Sequence, residues 1–188
     1  MRVIGGEYRS RRLKTLPGLN TRPTPDRLRE TLFNVLAPHI LDSVFLDAYA
    51  GTGAVGIEAL SRGARRCVFI EKNRAAVDVI RENLRSLGAA GRAEVFTGKA
   101  LAVLERVTAD IIFMDPPYEM EKEYEAVLSA IAKSSKGLVI AQHASRLNLL
   151  PDYGALHRYR ILKQGDNTLS FYVGQVGNLP PIENRPMR

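Results

Sequence analysis

The stretch DAYAGTGAVGIEAL, residues 47–60, decides the fold that this sequence predicts. Gly51, Gly53 and Gly56 stand at the spacing G-x-G-x-x-G, after a short apolar run (43–48) and before a helical pattern (54–62). A strand, a glycine turn and a helix in this order are typical of a doubly wound, mostly parallel α/β sheet. In such sheets a ligand binds beyond the carboxyl ends of the strands, so we expect the turn to face a ligand.

The same alternation continues along the chain. Short apolar runs predict strands at 67–71, 93–97, 110–115 and 137–143, and helical spacing predicts helices at 74–87, 100–106 and 121–133. The segments 156–164 and 168–173 are joined by Gly165-Asp166-Asn167 and predict a C-terminal antiparallel hairpin. We therefore expect a Rossmann-like sheet of seven strands.

The ends of the chain differ from this alternating region. Residues 1–23 are rich in Gly, Pro and basic residues and predict a basic arm with a short hairpin. A helix is expected to follow with Thr24 as its N-cap and to end before Pro38. Residues 175–188 predict a loose tail, so the α/β domain is expected to span 24–174.

Charge and composition limit the function classes. The 188 residues are 45% apolar and carry a net charge of +7, and no apolar run is long enough for a membrane helix or a secretory signal. We therefore expect a soluble cytoplasmic protein, and the absence of heptads or an apolar stripe predicts a monomer. Residues 1–30 contain eight basic and three acidic residues. This excess indicates a polyanionic partner, although a merely solvated terminus is the alternative.

The charge beside the glycine turn selects between ligands. Asp47 lies four residues before Gly51, and a carboxylate there would repel the pyrophosphate of a nicotinamide dinucleotide. S-adenosylmethionine has no phosphate and carries an ammonium and a sulfonium cation that Asp47 can balance. Glu71, at the end of the next strand, can accept ribose hydroxyls in either case. The loop thus favours the methyl donor, while a dinucleotide site and an empty turn stay open.

A second motif, IIFMDPPYE, ends another predicted strand. Two prolines fix the backbone direction directly after Asp115, and Tyr118 follows them. The Asp115 carboxylate and the Pro116 carbonyl can accept the two N–H bonds of an exocyclic amine on a nucleobase, while Tyr118 stacks on a base that is single-stranded or flipped out. The alternative is a rigid turn without chemistry. No metal site is expected.

These motifs resemble a known family. DAYAGTG (47–53) resembles the first motif of class I S-adenosylmethionine-dependent methyltransferases, and DPPY (115–118) resembles the motif of their amino-methylating branch, which serves adenine N6 and guanine N2 alike. RVIGGEYRSRRLKT (2–15), TRPTPDRLRETLFNVL (21–36) and GIEALSRGA (56–64) resemble the RsmD family, which methylates guanine N2 in 16S ribosomal RNA.

The resemblance implies roles for residues of this chain. The expected cofactor residues are Asp47, Ala48, Gly51, Gly53, Glu71, Lys72, Gly98, Lys99 and Ala100. The expected catalytic residues are Asp115, Pro116, Pro117 and Tyr118. The expected contacts to ribosomal RNA, or to a small ribosomal subunit or its assembly intermediate, are Arg9, Arg11, Arg12, Lys14, Arg22 and Thr24.

Two positions depart from the family pattern. Lys99 stands where many class I enzymes carry an acid that contacts adenine, so we expect the backbone of 98–100 to bind the base instead. Gln142 and His143 end a strand where an acid is expected, and His143 is either an RNA contact or a packed strand-end residue. An adenine-N6 methyltransferase and a non-catalytic RNA-binding assembly factor remain alternatives to the guanine-N2 enzyme.

Overall fold

The fold is an α/β sheet with helices on both faces. A computed structural model describes residues 1–16, 25–117, 120–134 and 137–174. The helices are α1 (Asp26–Ile40), α2 (Ala54–Ser61), α3 (Arg74–Ser86), α4 (Ala100–Leu104) and α5 (Glu121–Ser134). The strands are β1 (Val44–Asp47), β2 (Arg66–Glu71), β3 (Ala93–Thr97), β4 (Ile111–Met114), β5 (Leu138–Ala144), β6 (Asp152–Tyr153), β7 (Leu156–Gln164) and β8 (Asn167–Gly174).

The strand order brings the ends of β1 and β4 together. In the described residues the order is β3-β2-β1-β4-β5-β8-β7-β6; the first five strands are parallel, and β8, β7 and β6 pair antiparallel. The chain moves outward from β1 to β3 and then returns to place β4 on the other side of β1. This reversal opens a crevice beyond the carboxyl ends of β1 and β4, where doubly wound sheets bind ligands.

The predicted fold class is confirmed, but the predicted count of seven strands is wrong. The extra strand is β6, in which Asp152 and Tyr153 pair with His157 and Leu156. Two residues are too few for an alternating pattern, so the sequence gives no signal for this edge strand. The C-terminal hairpin is confirmed, and Asn167 lies within β8 because it pairs with Gln164 across the turn.

The prediction that α1 ends before Pro38 is also wrong, because α1 continues to Ile40 and holds Pro38 in its last turn. A proline there removes only its own N–H from the helix, and Leu36 and Ile40 are buried in the core and hold this turn in place. Pro25 is the N-cap residue of α1. Thr24, the predicted N-cap, lies outside the described residues, as do Arg22 and Tyr118.

The two faces of the sheet have separate cores. On one face α1, α2, α3 and the N-terminal hairpin pack on apolar side chains of the sheet, among them Phe45 and Phe113. On the other face α4 and α5 pack on Leu46 and Met114. The parallel strands are buried on both faces, so their sequences read as continuous apolar runs. No helix within the described ranges combines the length and the apolar character needed to cross a membrane.

The predicted N-terminal hairpin is confirmed and packs on the helices. Arg2 and Arg12 form an antiparallel bridge. The main-chain N–H groups of Ile4 and Gly5 donate to the Glu58 carboxylate at 2.8 Å each. Glu58 is fully buried and also accepts from Arg62 at 2.7 Å. The division into an arm (1–23), a domain (24–174) and a tail (175–188) stays a prediction, and the tail lies outside the described residues.

Candidate active site

A cavity of about 750 Å³ lies beyond the carboxyl ends of β1, β2 and β4. Its wall contains most of the residues that the sequence predicts for the cofactor and for the reaction. These are Asp47, Ala48, Gly51, Glu71, Lys72, Gly98, Lys99, Ala100, Asp115 and Pro117. Gly53 and Pro116 are not part of the lining. The N-terminal segment also contributes to the wall, through Met1, Thr15 and Leu16.

The three glycines of the loop are needed for different physical reasons. Gly51 has φ +54° and no protein atom within 4 Å of the position that a Cβ would take, so this position faces open space and suits the close approach of a ligand. Gly53 has φ +84° and is the N-cap of α2. A Cβ on Gly56 would lie 2.2 Å from the Phe69 ring, so Gly56 lets α2 approach the sheet. Only Gly51 therefore serves the cavity directly.

Asp47 is bonded to its own loop. The N–H of Gly56 donates to Asp47 Oδ2 at 3.0 Å, so the carboxylate satisfies one of the free N–H groups in the first turn of α2. Asp47 is only 1% exposed, and it still lines the cavity. Burial is the main reason that the pKa of Asp47 is raised to about 7, and the nearby Glu71 raises it further. Asp47 therefore stabilises the start of α2 and also lines the cavity.

Glu71 connects the glycine loop to the end of β2. Its Oε2 accepts from the N–H of Gly51 at 2.8 Å, and its Oε1 accepts from the N–H of Asn73 at 2.8 Å. Each carboxylate oxygen can accept more than one hydrogen bond, so both oxygens retain capacity for ribose hydroxyls. The N–H of Gly98 donates to the main-chain oxygen of Glu71 at 3.0 Å. The loop after β3, which includes the exposed Lys99, is thereby fixed against the cavity.

Asp115 follows β4 and lies next to the Asp47 strand. Asp47 pairs with Phe113 across β1 and β4, which places the two acidic strand ends at the same edge of the sheet. Burial, with a contribution from the charge of Asp47, raises the pKa of Asp115 to about 8. Two carboxyl groups that resist ionisation in one cavity are suited to a cationic ligand, which would favour the ionised form of both.

Gln142 and Tyr124 belong to the site although the sequence analysis assigned them no role. Gln142 Nε2 donates to Asp115 Oδ2 at 2.9 Å. The Tyr124 hydroxyl contacts the main-chain oxygens of Gln142 at 2.8 Å and Pro116 at 3.2 Å. The unexpected amide at the end of β5 was a signal in the sequence, but its partner was visible only once β5 lay beside β4.

Tyr49 and Glu123 form another pair in the cavity wall that the sequence analysis missed. The Tyr49 hydroxyl donates to Glu123 Oε1 at 2.9 Å. Burial, followed by the bond to Glu123, raises the pKa of Tyr49 well above its ordinary value, so the hydroxyl stays protonated. This pair extends the polar wall from the glycine loop to α5 on the side of Asp115 and Pro117.

His143 is a packed residue. It is 3% exposed, and its Nε2 lies 2.9 Å from the Ser170 hydroxyl while Nδ1 lies 3.0 Å from the main-chain oxygen of Ala144. Burial lowers its pKa, which favours the neutral ring. Of the two interpretations of His143, the structure supports the packed strand-end residue, because a buried side chain cannot reach RNA.

The basic residues of the hairpin are exposed, and they lie outside the cavity wall. Arg11 donates to the main-chain oxygen of Ser86 at 3.0 Å, at the C-terminal end of α3. Lys14 forms an ion pair with Glu82. Within the described part of the chain, the side chains of Arg9 and Arg12 form no ion pair or hydrogen bond. Lys14 is followed directly by Thr15 and Leu16, so the hairpin leads to the rim of the cavity.

Asn83 joins this segment to the glycine loop. Its Oδ1 accepts from the N–H of Lys14 at 2.8 Å, and its Nδ2 donates to the main-chain oxygens of Lys14 at 3.1 Å and of Thr52 at 3.3 Å. Asn83 is 1% exposed, so these bonds are made in a buried setting where they are worth most. The basic segment and the loop are therefore held in one fixed relation.

Comparison with known proteins gives the family. The family model described as Conserved hypothetical protein 95 matches residues 1–173. The chain is 34% identical to the Bacillus subtilis protein YlbH over 165 residues, which covers 83% of this chain and 89% of YlbH. It is 45% identical over 120 residues to the Escherichia coli protein named Ribosomal RNA small subunit methyltransferase D, covering 63% of this chain and 60% of that protein.

A solved structure agrees with this result. The Escherichia coli protein yhhF superposes with a TM-score of 0.82 at 34% identity, and the match covers 93% of this chain and 97% of that one. The two chains therefore share one fold over nearly their whole lengths. The chain belongs to the Conserved hypothetical protein 95 family, the RsmD family of rRNA methyltransferases that its motifs resemble.

Proposed function

We propose that this protein transfers a methyl group from S-adenosylmethionine to the exocyclic N2 amine of a guanine in 16S ribosomal RNA, and that it acts as a cytoplasmic monomer. The observation that carries the proposal is the pair of acidic strand ends, Asp47 and Asp115, on the adjacent strands β1 and β4 in the wall of one cavity. The choice of ribosomal RNA is supported by the name of the Escherichia coli relative, and the choice of guanine N2 by the N-terminal motifs.

The cavity residues fit S-adenosylmethionine. Asp47 balances its positive charge, and the open space beside Gly51 gives the ligand room to approach the main chain of the loop. Glu71 accepts hydrogen bonds from its ribose hydroxyls. The main chain of 98–100 binds adenine in place of the acid that Lys99 replaces. A pyrophosphate would instead meet the carboxyl groups of the same wall, among them Asp47, Glu71 and Asp115. This repulsion disfavours a nicotinamide dinucleotide.

The acceptor end of the cavity receives the purine. Asp115 and the Pro116 carbonyl accept the N–H bonds of the amine, and Tyr118 stacks on the ring. When bound, S-adenosylmethionine supplies a methyl group activated by its positively charged sulfur. Asp115 stabilises the positive charge that develops on the nitrogen, and its carboxylate, whose ionised form the cationic methyl donor favours, can take the released proton.

The exposed basic hairpin holds the phosphates of the RNA. Arg9 and Arg12 are the strongest candidates, because Arg11 and Lys14 already contact the protein. Arg22 and Thr24, which belong to the segment between the hairpin and α1, complete the proposed RNA surface. Each phosphate that the hairpin neutralises makes binding more sensitive to salt.

The test is the identity of the product. The purified protein is incubated with a tritiated methyl donor and either naked 16S RNA or small subunits, and the labelled RNA is digested to nucleosides. We expect N2-methylguanosine. N6-methyladenosine would instead establish the sister activity, because the DPPY motif serves both bases. If no label is incorporated and calorimetry shows no affinity for S-adenosylmethionine, the chain is a non-catalytic RNA-binding assembly factor.

A further inference from the structure

The Asp115 carboxylate is held from one side by a buried amide. Gln142 Nε2 donates to Asp115 Oδ2 at 2.9 Å, and Gln142 is 1% exposed. An amide group on a side chain packed in this way has little freedom to rotate, so it fixes the plane of the carboxylate that it contacts. Gln142 therefore holds the carboxylate through Oδ2, and Oδ1 is the oxygen that this bond leaves for a ligand in the cavity.

Tyr124 connects the same strand end to the neighbouring carbonyl. Its hydroxyl lies 2.8 Å from the main-chain oxygen of Gln142 and 3.2 Å from that of Pro116, and the side chain is completely buried. A phenol has one hydrogen to donate, so the two carbonyls share it and the shorter contact to Gln142 receives the larger part. Tyr124 thereby ties the Pro116 carbonyl to β5, and the carbonyl retains a lone pair for another donor.

We propose that Gln142 and Tyr124 are positioning residues for methyl transfer. Gln142 turns Asp115 Oδ1 towards the amine, and Tyr124 keeps the Pro116 carbonyl at the place where it accepts the second N–H bond. This inference rests on the proposed function, in which Asp115 and Pro116 are the two acceptors. Gln142 and Tyr124 act through Asp115 and Pro116, the residues that they contact.

The chemistry explains why an amide suits this position. The described part of the cavity wall holds the cations Lys72 and Lys99. Its carboxyl groups besides Asp115 are Asp26, Asp47, Glu71 and Glu123. The charge of Asp47 acts on Asp115, and the Tyr49 phenol is bonded to Glu123. Another carboxyl group at position 142 would add a negative charge to this set whenever it ionised. It could also donate to Asp115 only in its protonated form. A glutamine donates at every pH and adds no charge.

The test compares four variants of the full chain in the methylation assay. Gln142→Met removes the donor at nearly constant volume, Gln142→Glu keeps a donor only while protonated, and Tyr124→Phe removes the hydroxyl. Ser170→Ala is the matched control, because it also removes a buried hydrogen bond, to His143, without contacting Asp115 or Pro116. For each variant, kcat, KM for RNA, affinity for S-adenosylmethionine and melting temperature are measured, with kcat followed from pH 6 to 9.

We expect Gln142→Met to lower kcat about tenfold to 100-fold, because a misplaced reacting group costs rate more than binding. KM and cofactor affinity should change little. Gln142→Glu should keep a higher kcat than Gln142→Met near pH 6, and its kcat should fall as the pH rises towards 9. Neither the wild type nor Ser170→Ala should show this fall. Tyr124→Phe should lose less than Gln142→Met, since Asp115 keeps its partner.

Specific results would overturn the inference. If Gln142→Met keeps the wild-type kcat and pH profile while Asp115→Ala is inactive, Gln142 has no positioning role. If the loss in each variant only follows its melting temperature, or if Ser170→Ala loses as much, the role is structural. Absence of N-methylated product with the wild-type protein would refute the proposed function itself and this inference with it.

Discussion

Asp47 and Asp115 are the same residue type at the same edge of the sheet, yet their carboxylates are held in different ways. Asp47 accepts from a main-chain N–H of Gly56, in its own strand–loop–helix unit. Asp115 accepts from the Gln142 side chain, which comes from β5. Burial raises the pKa of both, to about 7 for Asp47 and about 8 for Asp115.

Under the proposed function, the difference corresponds to a division of work between the two ends of the cavity. A carboxylate fixed by its own loop forms wherever that loop folds, which suits a cofactor end shared by many enzymes of this fold. A carboxylate fixed by a side chain from another strand can be tuned by substitutions far away in the sequence. The cofactor end is thus a local structure, and the acceptor end depends on the assembled sheet.

The sharpest test of this division is Asp115→Ala. We expect kcat to fall about 100-fold to 1000-fold, because the variant loses the group that stabilises charge on the nitrogen. Affinity for S-adenosylmethionine, measured by calorimetry, should change little. An equal loss of activity and cofactor affinity would mean that Asp115 belongs to the cofactor end, and the comparison would fail.

Asp47→Asn addresses the other end. The asparagine Oδ1 can still accept from Gly56, so the loop should keep its shape while it loses the negative charge. We expect S-adenosylmethionine to bind about 30-fold more weakly, a cost of about 2 kcal/mol, because an ionic partner is removed from a buried site. S-adenosylhomocysteine, which keeps the ammonium but not the sulfonium, identifies the cation. An equal loss for both ligands indicates the ammonium, and unchanged binding of both would remove Asp47 from the cofactor site.

Changing Arg9 and Arg12 to Ala should weaken RNA binding without affecting the residues at either end of the cavity. If each arginine contacts one phosphate, RNA binding should weaken about tenfold, and the salt slope should fall by about 1.4 to 1.8. Cofactor affinity should not change. The charge-matched control is Arg106→Ala with Lys133→Ala, two exposed positions on the α4–α5 face of the sheet. An unchanged slope in the Arg9 and Arg12 variant would place the RNA elsewhere.

The smallest expected effect concerns stability. The folded-state pKa of Asp115, about 8, lies above its value in the unfolded chain, so folding favours the protonated form. The stability from this group is full below the unfolded pKa and is lost as the pH rises towards 8. Asp115→Asn should therefore have a larger free energy of unfolding than the wild type at pH 8.5, with a smaller difference at pH 5.

Urea unfolding at the two pH values measures this difference. Asp78→Asn is the control, because Asp78 is an exposed carboxylate on α3 and should give no such gain. Equal stability of Asp115→Asn and the wild type at pH 8.5 would mean that the Asp115 carboxylate is ionised without cost. The raised pKa of Asp115 would then be wrong.

Much of the site was predictable because its signals are local. The glycine loop and the acids Asp47, Glu71 and Asp115 each follow an apolar strand directly. Because parallel strands end at one edge of the sheet, the structure brings the three acids and Gly51 into the wall of one cavity. Errors arose where local signals are weak, as at the two-residue strand β6 and at Pro38 in the last turn of α1. Gln142 and Tyr124 were missed because their partners come from other strands and helices.

The sequence by itself determined the alternating α/β fold, the family and the acidic residues at the two strand ends, because strand periodicity, glycine spacing and short motifs are properties of neighbouring residues. Only the tertiary structure decided how those groups are held: Gln142 against Asp115, Asn83 between Lys14 and Thr52, and Glu58 under the N-terminal hairpin. Hydrogen bonds of this kind join residues far apart in the chain, and their geometry exists only after the sheet and its helices have packed.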